Sequence, residues 1–140
     1  PRMSSISIPV RARDGDYAID VARGLRTRLG GALDAAGLDG ARISEIVRKG
    51  TDRRIDSYSG FFDNARRKAT GLEAVLRGAG VTDLDVVGLA TDYCVKATVL
   101  DALELGFRVR VFEAGVRAVD LAPGDGARAL AAMREAGAEI

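Results

Sequence analysis

Short apolar segments alternate with amphipathic ones from residue 43 to the end of the chain. Three segments have the length and the β-branched content of strands: 43–47, 84–89 and 108–113. Three others show the helical spacing of apolar residues: 70–78, 95–105 and 126–136. This alternation predicts an α/β fold, in which helices cover a parallel sheet.

Local signals refine these elements. Thr70 and Glu73 have the spacing of a capping box at a helix start. The helix 95–105 is expected to face the core with Val95, Val99, Ala102 and Leu103. The last three residues, "AEI", resemble the start of a further strand.

The amino-terminal part of the chain predicts a helix. Asp16 is a candidate N-cap, and Ile19, Ala22, Leu25 and Leu29 fall on one side of a helix that begins there. A chain of 140 residues that is 47% hydrophobic can bury a core of its own, so we expect one domain over residues 1–140.

Composition limits the partners of the chain. It has 21 Lys and Arg against 20 Asp and Glu, interspersed, so neither a nucleic acid nor a membrane surface is an expected partner. A single cysteine allows no internal disulfide and no apolar run spans a bilayer, which favours the cytoplasm. Without histidine, the chain lacks the usual ligands of a zinc site, and we expect no metal in it.

The single cysteine, Cys94, directly follows the strand 84–89 and lies in the first turn of the next helix. Open α/β sheets bind ligands at the carboxyl ends of their strands. The positive end of a helix dipole favours the thiolate form of a cysteine placed there. Cys94 is therefore a candidate nucleophile; the alternative is a small buried hydrophobic residue.

Two segments resemble a known family of enzymes. "GLATDYCVKATVLDAL", around Cys94, is similar to the nucleophile segment of the nicotinamidases and pyrazinamidases, which belong to the isochorismatase-like cysteine hydrolase superfamily. "VRKGTDRRIDSYSGFFDN" resembles the lysine segment of the same family, with Lys49 after a strand. The resemblance covers residues 42–140 and implies a three-layer fold, a parallel sheet with helices on both faces.

The resemblance also implies a reaction. Cys94 is expected to attack the carboxamide carbon of nicotinamide or pyrazinamide, forming a thioester and releasing ammonia, a step of pyridine nucleotide salvage. Lys49 is expected to favour the thiolate, while the amides of Ala90 and Cys94 form the oxyanion hole.

Further features of the family map onto this chain. A cis peptide bond is expected between Leu89 and Ala90. Tyr58 and Phe61 are expected near the wall of the substrate pocket. From the residues alone, core packing is the alternative for both rings.

Other family segments have no match. The family's first strand, D-x-Q-x-D-F, carries the aspartate that acts as base, and its D-x-H-x-H loop holds zinc, iron or manganese. The chain has no such aspartate segment and no histidine, so we expect a domain without its first two strands, shortened near residues 29–30. If the 140 residues are complete, activity should be low. A catalytically inactive member that serves binding or assembly, including homo-oligomers, is the alternative.

Overall fold

The computed structural model describes the backbone of residues 6–12 and 15–21 and both backbone and side chains of residues 47–140. Residues 1–46 and 47–140 belong to two compact units, and each is described by itself. The shortening expected near residues 29–30 falls outside the described residues, and the expectation of one domain over the whole chain stays a prediction.

The amino-terminal unit contains an antiparallel hairpin of β1 (Ile6–Ala12) and β2 (Gly15–Val21). The helix expected to begin at Asp16 is therefore wrong over residues 16–21; its remainder to residue 29 lies outside the described residues. Apolar residues in β2 also recur with period two, and the register pairs Ile8 with Ile19 and Val10 with Tyr17. A helix forms its hydrogen bonds within one segment, whereas a strand gains contacts with a partner strand. The cross-strand contacts with β1 therefore favour a strand over a helix at residues 15–21.

The carboxy-terminal unit follows the expected order of elements from residue 70 onward. Its elements are α1 (Leu72–Gly78), β3 (Asp83–Leu89), a π-helical turn (Thr91–Val95), α2 (Lys96–Glu104), β4 (Arg108–Arg117) and α3 (Asp125–Glu135). Residues 51–64 form an irregular loop. Of the strand expected at 43–47, residues 43–46 lie outside the described residues and Val47 is in no strand.

Strands β3 and β4 are parallel, as the alternation of strand and helix predicts. Their register pairs Asp83 with Arg108 and Leu89 with Arg117, with an irregularity between Val86 and Gly88. The final segment extends this arrangement: a parallel bridge joins Glu139 to Arg110. The α/β fold with a parallel sheet is confirmed.

The two faces of this sheet differ in polarity. Asp83 and Asp85 on β3 form bidentate ion pairs with Arg108 and Arg110, which stand opposite them on β4. Side chains alternate along a strand, so the intervening residues of β4 point to the other face. There they join the core of the unit, whose fully buried side chains include Val99, Ala102, Val111 and Met133.

The start of α1 differs from the expected capping box. Its N-cap is Gly71, in the left-handed region at φ 93°, where glycine is favoured. The Thr70 hydroxyl still accepts the amide of Leu72 at 3.1 Å, but Glu73 forms an ion pair with Arg77 one turn later. An arginine at i+4 competes for the carboxylate that the capping box requires.

The part of the chain that the structure describes contains no helix long and apolar enough to cross a membrane.

Met133 provides a test of the core. It is fully buried in α3, so Met133→Ala should lower the free energy of unfolding by about 2–5 kcal/mol through lost burial and a cavity. Urea unfolding measures this change. Leu121→Ala, at a side chain that is 79% exposed, is the control and should change stability by less than about 0.5 kcal/mol. Equal losses in the two variants would contradict this description of the core.

Candidate active site

Lys49 and Cys94 are in contact, although 45 positions separate them in sequence. The Lys49 ammonium lies 3.2 Å from Cys94 Sγ and also donates to the carbonyls of Ser57, at 2.5 Å, and Tyr58, at 2.8 Å. An ammonium group has three N–H donors, and these contacts use all three. The juxtaposition that the sequence predicted is confirmed.

The other described contacts of the Lys49 ammonium do not neutralise its charge. Both other acceptors are neutral carbonyls, and among the side chains that the structure describes no carboxylate forms a salt bridge with Lys49. Lys49 is half-buried, where charges interact more strongly than in bulk water. Its positive charge therefore lies beside Cys94 Sγ, with no carboxylate partner among the described side chains.

Cys94 is positioned by the π-helical turn between β3 and α2. The peptide bond between Leu89 and Ala90 is cis, as expected from the resemblance. The Ala90 carbonyl accepts the amides of Tyr93 at 3.2 Å and Val95 at 3.0 Å, which closes the turn around the cysteine. The thiol is half-buried and forms no disulfide. Functional sites often contain a π-helical turn of this kind.

The loop that holds Lys49 is itself anchored. Asn64 accepts the Tyr58 amide through Oδ1 at 3.0 Å and donates its own amide to the carbonyl of Asp56 at 2.8 Å. Arg66 fastens the end of the loop to α2, where it pairs with Asp101 at 2.8 Å and Glu104 at 2.9 Å. Sequence reasoning missed both supporting residues. The partners of Arg66 lie 35 and 38 positions away in the chain, whereas those of Asn64 lie within its own irregular loop, which has no periodic pattern to reveal them.

The two aromatic residues assigned to the pocket wall occupy different environments. The Tyr58 ring is 37% exposed and lies edge-on to Tyr93, the neighbour of Cys94, with ring centroids 5.5 Å apart. Phe61 is 2% exposed and stacks on Phe107 in the core. The structure thus brings Tyr58 near the cysteine turn, and places Phe61 in the core beneath the loop. A direct role of either ring in substrate binding stays a prediction.

Asp92 has a structural role that the sequence did not indicate. Its carboxylate accepts the amides of Val119, at 3.0 Å, and Asp120, at 2.9 Å, in the segment after β4. Asp92 therefore joins that segment to the cysteine turn. Burial raises the pKa of Asp92, but the amides of Asp120, Val119 and Asp92 itself outweigh burial and hold the pKa below its usual range.

A metal site of the family type does not fit these residues. The chain has no histidine, and residues 47–140 contain no cluster of three or more carboxylate or thiol side chains able to hold an ion. Single carboxylates engaged with arginines or backbone amides do not supply the ligand set that a transition metal requires.

The sequence matches a known family over the part of the chain that contains this site. The model of the family described as the isochorismatase domain matches residues 39–140, close to the predicted 42–140. The chain belongs to the isochorismatase family. The isochorismatase-like nature of the fold, predicted from the two segments, is thereby confirmed.

Nicotinamidases are among the relatives of this isochorismatase-family chain. Nicotinamidase from Escherichia coli is 50% identical over 98 residues, which cover 70% of this chain and 46% of the enzyme. Nicotinamidase/pyrazinamidase from Mycobacterium tuberculosis is 38% identical over 107 residues, 74% of this chain and 53% of the enzyme. The chain thus spans about half the length of these curated relatives.

Solved structures show the same likeness. PnC1 from L. infantum in complex with nicotinate aligns with a TM-score of 0.66 and 35% identity, over 74% of this chain and 51% of that chain. The pyrazinamidase of Pyrococcus horikoshii in complex with zinc aligns with a TM-score of 0.61 and 38% identity, over 74% and 52%.

The contact between Lys49 and Cys94 predicts a reactive thiol. Lys49→Met keeps the length of the side chain but removes its charge, and should slow alkylation of Cys94 by iodoacetamide at pH 7 by about tenfold. Mass spectrometry of the modified peptide measures the rate. Lys68→Met is the matched control, because Lys68 is exposed and bonds to Thr51. A thiol that reacts only in denaturant would contradict the arrangement.

Asp92 predicts a pH dependence of stability. Its folded-state pKa is lowered, so it stabilises the fold above the pKa of an unfolded carboxyl, about 3.9, and this contribution is lost as pH falls through the folded value. Asp92→Asn should therefore cost about 1–3 kcal/mol at pH 7, because its amide cannot accept both backbone N–H groups, and less below about pH 3.

Urea unfolding at both pH values tests this prediction. Asp56→Asn, at an exposed carboxyl, is the control and should leave stability nearly unchanged at either pH. A cost of Asp92→Asn that is the same at pH 7 and pH 3 would show that the charge of Asp92 has no part in it.

Proposed function

We propose that this chain contributes a cysteine nucleophile to the hydrolysis of an aromatic carboxamide, with nicotinamide as substrate and pyrazinamide as an analogue. The observation that carries the proposal is the Lys49 ammonium 3.2 Å from Cys94 Sγ at the carboxyl end of β3. The names of the relatives from Escherichia coli and Mycobacterium tuberculosis support the choice of substrate. The contact alone is compatible with other amides.

The reaction proceeds in two stages. The Cys94 thiolate forms a C–S bond to the carboxamide carbon, and the C–N bond then breaks, with the leaving nitrogen taking a proton and departing as ammonia. Water cleaves the resulting thioester and regenerates the thiol. The sum is nicotinamide plus water giving nicotinate and ammonium.

Lys49 acts in this scheme through its charge. Its three N–H groups are held by Ser57, Tyr58 and Cys94, so the ammonium is fixed in place before substrate arrives. A preorganised charge needs no reorganisation when the thiolate forms. The amides of Ala90 and Cys94 are proposed to stabilise the oxyanion of the tetrahedral intermediate, because both belong to the turn that positions the sulfur.

Tyr58 is proposed to contact the pyridine ring. It is partly exposed, it packs edge-on against Tyr93, and its own carbonyl holds Lys49, so it links the aromatic surface to the charged centre. Phe61 supports this loop from the core, and we propose that its contribution to binding is indirect. Edge-on and offset ring contacts suit a flat heteroaromatic substrate.

The proton of the thiol needs an acceptor. The D-x-Q-x-D-F segment that supplies the family's base has no match in the 140 residues. We propose none of the described residues as the general base. General base catalysis typically contributes about 10²–10⁴-fold, so this chain by itself should turn over nicotinamide slowly.

Three further properties belong to this proposal. We propose that catalysis by this chain involves no metal. We also propose that the chain acts in the cytoplasm, where thiols stay reduced, and that its product feeds pyridine nucleotide salvage.

An activated ester tests the nucleophile independently of the missing general base. The 4-nitrophenyl ester of nicotinic acid has a leaving group that needs no proton, so it should acylate Cys94 even without a general base. Intact mass should show one nicotinoyl group in the parent chain and none in Cys94→Ala. Lys68→Met is the control and should behave like the parent, since the Lys68 ammonium bonds to Thr51 Oγ1 and not to the sulfur.

Ammonia release from nicotinamide completes the test. We expect slow release that Cys94→Ala abolishes and that zinc, iron or manganese salts do not increase, because the chain has no imidazole ligand. Equal acylation of the parent and Cys94→Ala, or no acylation of either, would overturn the proposed nucleophile. Acylation without any turnover of the thioester would favour a binding role for the chain.

A further inference from the structure

Two threonine hydroxyls hold the backbone of Gly60 from opposite sides. The Gly60 amide donates to Thr98 Oγ1 at 2.9 Å, and the Gly60 carbonyl accepts from Thr70 Oγ1 at 2.6 Å. The loop passes so close to its neighbours here that a Cβ on Gly60 would lie 3.3 Å from Leu72 Cδ2 and 3.4 Å from Thr98 Cγ2. The position of Gly60 is therefore narrowly defined.

Thr98 joins this loop to the helix of the nucleophile. Its hydroxyl accepts from Gly60 and donates its single proton to the Cys94 carbonyl at 2.7 Å. One hydroxyl thus bonds the loop at residue 60 and the residue that carries the sulfur. A threonine bond to the carbonyl four residues earlier slightly destabilises a helix, so α2 itself gains little from this hydroxyl.

The same loop determines where the Lys49 ammonium lies. The carbonyls that accept from Lys49 belong to Ser57 and Tyr58, three and two residues before Gly60. A shift of Gly60 away from α2 moves these carbonyls and the ammonium with them. The interaction of the ammonium with the sulfur weakens as their separation grows, and the charge-assisted hydrogen bond is lost beyond contact distance.

We propose that Thr98 is a positioning residue that holds the Lys49 ammonium against Cys94 by bonding Gly60 to the helix of the nucleophile. Its importance for catalysis rests on the function proposed above, whereas its effect on the reactivity of the thiol does not. The hydroxyl, and not the bulk of the side chain, carries this role, because both hydrogen bonds end at Oγ1.

Alkylation of Cys94 by iodoacetamide across pH tests the proposal. Thr98→Val keeps the shape of the side chain but removes the hydroxyl, and should slow alkylation at pH 7 by about three- to tenfold while leaving the rate at pH 10, where thiols ionise without help, nearly unchanged. Thr98→Ser restores the hydroxyl and should restore the pH 7 rate. Thr82→Val is the matched control and should match the parent, because Thr82 is exposed and, in the described contacts, its hydroxyl bonds only to the neighbouring Asp83.

Three results would overturn the proposal: an unchanged pH 7 rate in Thr98→Val, no rescue by Thr98→Ser, or an equal loss at pH 7 and pH 10, which would indicate altered access to the sulfur.

If circular dichroism shows that Thr98→Val does not fold, Gly60→Ala provides the second variant. Its added Cβ would lie 3.3 Å from Leu72 Cδ2 and 3.4 Å from Thr98 Cγ2, so a shift of a few tenths of an ångström that lengthens the bond to Thr98 should slow alkylation at pH 7 in the same way. Because alkylation involves no amide substrate, a chain that releases no ammonia can still confirm or overturn the role of Thr98.

Discussion

The arrangement of the site depends on one half-buried ammonium whose three protons all have partners. Two backbone carbonyls hold Lys49 in place, and the third partner is the sulfur of Cys94. The carbonyls are neutral, so they fix the position of the charge without cancelling it. An unpaired ammonium at this half-buried position would be costly, so the three contacts also stabilise the loop that contains Lys49.

The fold brings these partners together through a parallel strand pair and an ordered loop. Strand β3 ends at Leu89, and the π-helical turn that follows presents Cys94 at the sheet edge where α/β proteins bind ligands. The loop that holds Lys49 is fastened to α2 by Arg66 and by the hydroxyl of Thr98. Asp92 ties the segment after β4 to the same turn. The loop that contains Lys49 and the segment after β4 are thus both held against the short turn that carries Cys94.

Errors in the sequence predictions share a physical cause. Asp16 and the apolar residues after it fit a helix, yet residues 15–21 form a strand. They pair with β1, which directly precedes them in the chain. Thr70 and Glu73 have the spacing of a capping box, yet Arg77 takes the carboxylate. In both cases the local pattern was compatible with two structures, and an interaction with another residue decided between them. For Phe61, the sequence left core packing open as the alternative to the pocket wall, and the ring is buried against Phe107.

The sequence by itself determined the order of strands and helices after residue 70, the parallel pairing of β3 with β4, the proximity of Lys49 to Cys94, and membership of the isochorismatase family. These follow from hydrophobic period and from short motifs, which are local properties. The tertiary structure alone decided which carbonyls hold Lys49, that Asp92 binds the segment after β4, and that Thr98 joins Gly60 to the helix of Cys94. Hydrogen bonds of this kind depend on distances of a few tenths of an ångström between groups far apart in the chain, and no local pattern encodes such distances.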